Sequence, residues 1–245
     1  MKIIRVSNYE DMSKQAGKLM VEKIRSNPSM VLGLATGSTP IGVYQYLIKD
    51  HKDNSTSYKN IKTINLDEYI GLPFGDSNSY HDFMKNNLFN HLDIQHENTY
   101  IPNGNAKDLD IECARYETLI QEIGGIDLQI LGIGENGHIG FNEPGTAFDS
   151  RTHIVNLAEN TRVANSRFFQ SIADVPTHAI TMGIASILDS REIFLLASGV
   201  KKAQAIACLM TGKWSEDFPA SALMHHKNVT IIADEDALTV FDKEN

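Results

Sequence analysis

The chain has 245 residues, of which 42% are hydrophobic and 22% are charged, a composition typical of a globular protein with a sizeable core. Since no run of about 18 apolar residues occurs, the sequence predicts no membrane-spanning helix. The formal net charge of −9 at pH 7 opposes general binding to nucleic acid or to an anionic membrane surface, so we expect neither as a partner.

The two cysteines, Cys113 and Cys208, lack the paired spacing of a zinc or redox motif. We expect both to be packing residues in a reducing compartment. Residues 1–9 lack the apolar stretch of a signal peptide, and the sequence therefore predicts a cytoplasmic protein.

The periodicity of apolar residues predicts an α/β protein. From Asn8 to just before Pro28, apolar residues recur at three- and four-residue steps, which predicts a helix. Apolar runs whose lengths suit buried strands follow at 30–35, 61–66, 128–133, 193–197 and 229–233. Further helical patterns lie at 43–49, 109–123 and 201–210. This alternation favours one mainly parallel sheet with helices on both faces, and since no linker interrupts it, a single domain over 1–245.

In such folds ligands bind at the carboxyl ends of the strands, and the first polar loop falls there. Residues 35–40 read ATGSTP between a predicted strand and a predicted helix. Hydroxyl groups, a glycine and the helix N-terminus together predict a phosphate cradle. The loop matches neither the Walker motif nor the dinucleotide fingerprint, and the alternative is a simple capping turn. The candidate phosphate-binding residues are Thr36, Gly37, Ser38 and Thr39.

A pair of acids, Asp67 and Glu68, begins the loop that we expect after the predicted strand 61–66. A carboxylate fixed in a closed site is suited to general acid/base chemistry. The alternative is that the pair is solvated or caps the next helix. Downstream, Tyr80 and His81 add a phenol and an imidazole, and we expect His81 at the surface.

The segment 132–145, GIGENGHIGFNEPG, places His138 and Glu143 in a glycine-rich loop directly after an apolar run. On a helix, five residues of separation would turn the two side chains roughly 140° apart, so a shared helix face explains them poorly. Glycines supply backbone freedom, which predicts a shaped loop that presents side chains to a cleft. The alternative is a core histidine tethered to a nearby acid.

Two cations in later motifs are candidates for pairing with a phosphate. Arg167 lies in RVANSRFF and offers a planar fork, whereas Lys202 lies in SGVKKA and offers a point charge. Isolated basic residues are usually solvated, so this role depends on their association with the ATGSTP loop.

Taken in order, ATGSTP, NLDEY, GENGHIGFNEPG, RVANSRFF and SGVKKA closely resemble the glucosamine-6-phosphate deaminase family of amino-sugar catabolism. Its members convert glucosamine 6-phosphate and water to fructose 6-phosphate and ammonia. The resemblance implies a modified Rossmann-like α/β fold, similar to ribose-5-phosphate isomerase and 6-phosphogluconolactonase. It further implies an amino-sugar phosphate as the small-molecule partner, no metal, no organic cofactor, and a mobile lid around 153–182.

The resemblance also assigns roles to residues. His138 would open the sugar ring, with Glu143 orienting and electrostatically supporting its imidazole, and Asp67 would remove the hydrogen at C2. Asn136 stands where several members carry Asp, and we expect its amide oxygen to orient His138 without adding negative charge. Glu68 and Tyr80 are expected as further substrate contacts.

The resemblance bears on regulation as well. Larger, hexameric members are activated by N-acetylglucosamine 6-phosphate through a basic site between subunits. His153 and Val155 replace the basic residues at the matching positions, which predicts weak or absent activation. The sequence leaves the choice between a monomer and a homo-oligomer open.

Two alternatives compete with the deaminase interpretation. A 6-phosphogluconolactonase-like hydrolase typically continues its loop as Gly-His-Thr-Ala-Ser, whereas His138 is followed by IGFNEPG. A non-catalytic sugar-phosphate sensor usually carries a DNA-binding module, and this acidic chain has no basic helix-turn-helix pattern.

Overall fold

The computed structural model describes residues 1–166, 169–210 and 212–244, and these form two β-sheets surrounded by helices. In chain order the strands are β1 (Lys2–Val6), β2 (Val31–Leu34), β3 (Lys62–Asn65), β4 (Asp67–Tyr69), β5 (Thr99–Tyr100), β6 (Leu128–Gly132), β7 (His153–Asn156), β8 (His178–Thr181), β9 (Ile193–Ala197) and β10 (Val229–Asp234). The α-helices are α1 (Tyr9–Ser26), α2 (Ile41–Asn54), α3 (Tyr80–Asn87), α4 (Leu109–Glu122), α5 (Glu159–Asn165), α6 (Ile184–Leu188), α7 (Ala203–Met210), α8 (Glu235–Leu238) and α9 (Phe241–Glu244).

The larger sheet contains seven of the described strands in the order β1-β10-β9-β6-β2-β3-β5, and every pairing is parallel. Neighbouring residues on one strand alternate between two buried clusters: Ile130 and Phe194 pack on one face, Leu131 and Leu195 on the other. Helices α1 and α2 cover the first face, whereas α4 and α7 cover the second. The predicted α/β architecture, with helices on both faces of a parallel sheet, is confirmed.

The smaller sheet was not predicted. Its three antiparallel strands lie in the order β4-β8-β7, and β4 occupies residues that we predicted as a loop. The hydrogen bonds of Leu66 explain why a strand forms here. Its N–H donates to the Leu34 carbonyl of the parallel sheet, while its carbonyl accepts from Met182 N at 2.7 Å. The chain therefore leaves one sheet and joins the other within a single residue, and Asp67 pairs with Thr181.

The predicted helices and strands agree with the structure to within a few residues. The predicted helix 201–210 begins as a 3-10 turn, Val200–Lys202, and continues as α7.

Cys113 is buried and Cys208 is partly buried, and neither forms a disulfide within the described residues. Within the described part of the chain, none of the helices is both long enough and apolar enough to cross a bilayer. The segment 153–182 contains β7, α5 and β8, and its mobility stays a prediction.

Candidate active site

A cavity of about 400 Å³ opens where β2, β3, β6 and β9 reach their carboxyl ends. Such an edge is where ligands bind in open parallel sheets. The cavity brings together most of the residues predicted from the sequence, namely Thr36, Gly37, Ser38, Thr39, Asp67, Tyr80, Asn136, His138 and Lys202. A larger surface hollow, of about 590 Å³, lies beside the exposed Arg5–Asp242 ion pair and contains none of these residues.

The loop after β2 forms one wall of the cavity. Gly37 has φ of +88°, a left-handed conformation that glycine adopts without strain. Helix α2 starts at Ile41, and Pro40 caps it without a side-chain hydrogen bond. The loop hydroxyls therefore do not cap α2, which removes the capping-turn alternative. The positive end of the α2 dipole lies at this wall.

A second loop, after β9, brings Lys202 to the same cavity. The Asp234 carboxylate accepts hydrogen bonds from Ser198 Oγ at 2.5 Å and from Gly199 N at 3.0 Å. It also accepts from Ala237 N at 2.9 Å at the start of α8. Asp234 therefore fixes the turn that carries Lys202. Arg167, the other predicted cation, lies outside the described residues.

Asp67 is 7% exposed and lines the cavity. Burial, aided by the negative charge of Glu68, raises the pKa of its carboxyl to about 8. No hydrogen-bond donor among the described residues contacts this carboxylate. The group is therefore poised to exchange a proton near neutral pH, as general acid/base chemistry requires.

Glu68 points away from the cavity. Its carboxylate accepts from Tyr69 N and Tyr80 N at 2.8 and 2.9 Å, and from both His81 N and His81 Nδ1 at 3.0 Å. Glu68 therefore caps the next helix, as the alternative interpretation of the acidic pair proposed, since its carboxylate binds the first N–H groups of α3. His81 is half exposed and bonded to Glu68. Burial raises the pKa of the Tyr80 phenol well above its ordinary value, so this cavity residue stays neutral.

His138 belongs to a chain of hydrogen bonds. Its Nδ1 lies 2.7 Å from Asn136 Oδ1, and Asn136 Nδ2 donates to Glu143 Oε2 at 2.7 Å. A carboxylate can only accept, so the Asn136 amide must direct its NH₂ at Glu143 and its oxygen at His138. His138 therefore carries its proton on Nδ1 when neutral, which leaves Nε2 as the acceptor.

Glu143 does not line the cavity and acts on His138 indirectly. The nearest Nδ1–Oε2 separation is 3.6 Å, too long for a hydrogen bond. Thr161 Oγ1 donates to Glu143 Oε1 at 2.7 Å. Burial opposes ionisation of Glu143, but His138, Thr161 and Asn136 together outweigh it and lower the pKa of this carboxyl to about 2. Glu143 is therefore ionised near neutral pH, and Asn136 links its negative charge to the imidazole.

The backbone around His138 leaves no room for extra atoms. A methyl group on Gly134 would overlap the His138 ring, and one on Gly137 would overlap the Phe218 ring. Gly137 O also accepts from Ala220 N at 2.8 Å. Gly134 therefore serves close packing against the imidazole, whereas Gly137 and Gly140, with φ of +85° and +57°, supply the backbone freedom predicted for this loop.

The family of the chain follows from comparison with known proteins. The family model described as glucosamine-6-phosphate isomerases/6-phosphogluconolactonase matches residues 7–232. The chain belongs to this family. A glucosamine-6-phosphate deaminase of Halalkalibacterium halodurans is 57% identical over 97% of this chain and 97% of its own length. Glucosamine-6-phosphate deaminase 1 of Bacillus subtilis is 52% identical over 98% of this chain and 99% of its own length.

Solved structures agree with this family membership. A monomeric glucosamine-6-phosphate deaminase superimposes with a TM-score of 0.96 at 52% identity, covering 98% of this chain and 100% of that chain. The 6-phosphogluconolactonase of Trypanosoma cruzi superimposes with a TM-score of 0.79 at 19% identity, covering 97% and 96%. At that identity the likeness is one of fold, and the predicted modified Rossmann-like class is confirmed.

Sequence reasoning missed two residues at the site of this family member. Thr161, which binds Glu143, immediately precedes the RVANSRFF motif, but no spacing rule connects it to a residue 18 positions earlier. Glu135 is exposed and lines the cavity. The sequence pointed to it only through its position within the GENGHIGFNEPG motif.

Proposed function

We propose that the chain catalyses the conversion of glucosamine 6-phosphate and water to fructose 6-phosphate and ammonia. The single observation that carries this proposal is the shared cavity of Asp67, whose pKa is raised to about 8, and His138. The relatives named glucosamine-6-phosphate deaminase, at 52% to 57% identity over nearly the whole chain, support the same activity.

The proposed substrate lies with its phosphate against residues 36–39, the N-terminus of α2 and Lys202. The positive end of the α2 dipole, the hydroxyl groups of the loop and the Lys202 ammonium line the same end of the cavity. Because the protein has a net charge of −9, a dianionic phosphate needs such local positive groups and donors to bind. The resemblance would assign Arg167 as a second cation for the phosphate. The sugar ring would extend from this end toward Asp67 and His138.

Ring opening is the first proposed step. His138 Nε2 accepts the proton of the anomeric hydroxyl and delivers it to the ring oxygen, which gives the open aldehyde. The imidazolium that forms is stabilised by the ionised Glu143 through Asn136.

Isomerisation and hydrolysis follow. Asp67, in its ionised form, removes the hydrogen at C2, which the neighbouring aldehyde acidifies. The aldehyde oxygen gains a proton as the ammonium group at C2 loses one, and an enolamine results. Asp67 then returns the proton to C1, so the nitrogen at C2 becomes an imine. Water adds to the imine carbon, the C–N bond breaks, and fructose 6-phosphate and ammonia leave. The proposed route uses no metal and no organic cofactor.

The test is to incubate the purified protein with glucosamine 6-phosphate and a chelator, and to measure ammonia and fructose 6-phosphate together. We expect equal amounts of both products. The variant Asp67→Asn should lose this activity and still bind inorganic phosphate. Hydrolysis of 6-phosphogluconolactone without ammonia release would support the lactonase instead, and sugar-phosphate binding without turnover by a folded protein would support the sensor.

We also infer that the protein is a monomer that N-acetylglucosamine 6-phosphate does not activate. The likeness to the monomeric deaminase supports the first point. The absence of activation is supported by the two side chains at the positions that match the basic effector site. His153 Nδ1 lies 2.7 Å from the Arg151 carbonyl oxygen, and Val155 packs against the cluster around Tyr69 and Phe141. Sedimentation should give one subunit, and saturation curves should be hyperbolic with or without the effector. We propose a cytoplasmic location, which the reduced state of Cys113 and Cys208 supports.

A further inference from the structure

Tyr9, the first residue of α1, binds the proposed phosphate loop from outside the cavity. Its hydroxyl donates to the Ser38 carbonyl oxygen at 2.9 Å and accepts from Gly42 N at 2.9 Å. One phenol therefore joins the loop and the first turn of α2 to another helix. The side chain is 38% exposed, so it contributes little to the core.

The bond to Ser38 sets the direction of a peptide group. In a trans peptide the carbonyl and the following N–H point in opposite directions. Because Tyr9 holds the Ser38 carbonyl, the N–H of Thr39 is turned away from Tyr9, and Thr39 lines the cavity. The phenol thus fixes the orientation of the peptide group between Ser38 and Thr39 at the wall of the cavity.

The helix that carries Tyr9 is a rigid support. Helix α1 has 18 residues and buries Met12, Ala16 and Met20 in the core. It lies so close to α2 that a methyl group on Gly42 would overlap the Ser13 side chain. The Tyr9 hydroxyl is therefore held in place before any ligand arrives.

From this geometry we infer that Tyr9 is a positioning residue of the phosphate site: it presets the 36–40 loop, so that less conformational freedom is lost on binding. This inference rests on the proposed function for the identity of the ligand. Tyr9 touches no reacting group, so its effect should fall on phosphate affinity and leave the chemical steps alone.

The decisive comparison is between Tyr9→Phe, which removes only the hydroxyl, and a matched control. Tyr46→Phe makes the same change on α2 at a side chain that packs against Gly17 of α1 and does not line the cavity. For Tyr9→Phe we expect the dissociation constant of inorganic phosphate, measured by calorimetry, to rise about 3- to 10-fold. The KM for glucosamine 6-phosphate should rise by the same factor, with kcat within about twofold of wild type.

Two outcomes would overturn the inference: unchanged phosphate affinity in Tyr9→Phe, even with a lowered Tm, or an equal loss in Tyr46→Phe. Failure of the wild type to bind phosphate would overturn it as well. Calorimetry with phosphate needs no turnover. If the wild type released no ammonia, the proposed function would fail while the calorimetric comparison still decided the role of Tyr9.

Discussion

Asp67 is buried at the wall of the cavity, unlike an ordinary surface carboxyl. Burial and the charge of Glu68 raise its pKa to about 8, and only its ionised form can accept the C2 hydrogen. We therefore predict that kcat/KM increases about tenfold per pH unit up to about pH 8 and levels off above. The measurement is kcat/KM between about pH 5.5 and 9.5.

The substrate has its own ionisable groups, so a variant must separate them from Asp67. Glu68→Gln removes the neighbouring charge and leaves the substrate unchanged. The rising part of the profile should then move to lower pH, because a like charge no longer opposes ionisation of Asp67. An unmoved profile in a folded variant would assign the ionisation to the substrate.

Thr161 provides the second test at the level of single residues. Its hydroxyl is the donor that holds Glu143 Oε1, and Glu143 in turn holds Asn136 against His138. Thr161→Val keeps the shape and loses the donor, so we predict a fall in kcat of about 3- to 10-fold with little change in KM. Thr161→Ser keeps the donor and should retain most of the activity.

The measurement for these variants is steady-state kinetics, with Tm as the check on folding. Full activity in Thr161→Val would show that Glu143 holds its position without this hydrogen bond. A serine variant as slow as the valine variant would assign the effect to packing.

Among the elements, the loop after β6 makes the strictest demand on sequence. Gly134 lies directly against the His138 ring, so Gly134→Ala should displace the imidazole. We predict that kcat/KM falls more than about 100-fold while phosphate affinity is retained, since the 36–40 loop is untouched. Gly145→Ala is the control, because φ is +91° there and nothing lies within 4 Å. It should lower Tm without a comparable loss of activity.

Elements with mainly apolar runs could be predicted from the sequence, because strands buried on both faces are rich in apolar residues. The runs that became β2, β6, β9 and β10 are examples, whereas β3 has Ile64 as its one apolar residue and was found from the apolar residues Ile61 and Leu66 that flank it. Strand β4 could not be predicted: it has three residues, two of them acidic, and it exists because Leu66 joins two sheets. Strand β5, with two residues, gives no periodic signal.

At the site, too, some features could be predicted from the sequence and others could not. The polar loops could be placed because parallel strands all end at one edge of the sheet. The contacts of Tyr9 with Ser38 and of Thr161 with Glu143 could not, because each joins residues that only the tertiary fold brings together. The opposite directions of Asp67 and Glu68 follow from strand alternation, which becomes predictable only once β4 is known.

On the scale of the whole molecule, the raised pKa of Asp67 couples the proposed chemistry to folding. An unfolded aspartate has a pKa of about 3.9, whereas the folded value is about 8. Below the unfolded value both states are protonated and stability is unaffected. As pH rises toward about 8, the unfolded chain releases a proton that the native state retains, so this group progressively lowers the free energy of unfolding.

Asp67→Asn removes that ionisation and should uncouple stability from pH at this site. At about pH 9 we predict that the variant exceeds wild type in the free energy of unfolding by on the order of 1–3 kcal/mol, because the variant buries no charge at position 67. The advantage should shrink toward about pH 4, where wild-type Asp67 is neutral in the native state and only about half ionised in the unfolded chain. Urea denaturation of both proteins at the two pH values measures the difference. A stability difference that did not vary with pH would contradict the raised pKa of Asp67. If the difference varies as predicted and the variant no longer releases ammonia, the fold keeps a carboxylate that lowers its stability because catalysis requires that group.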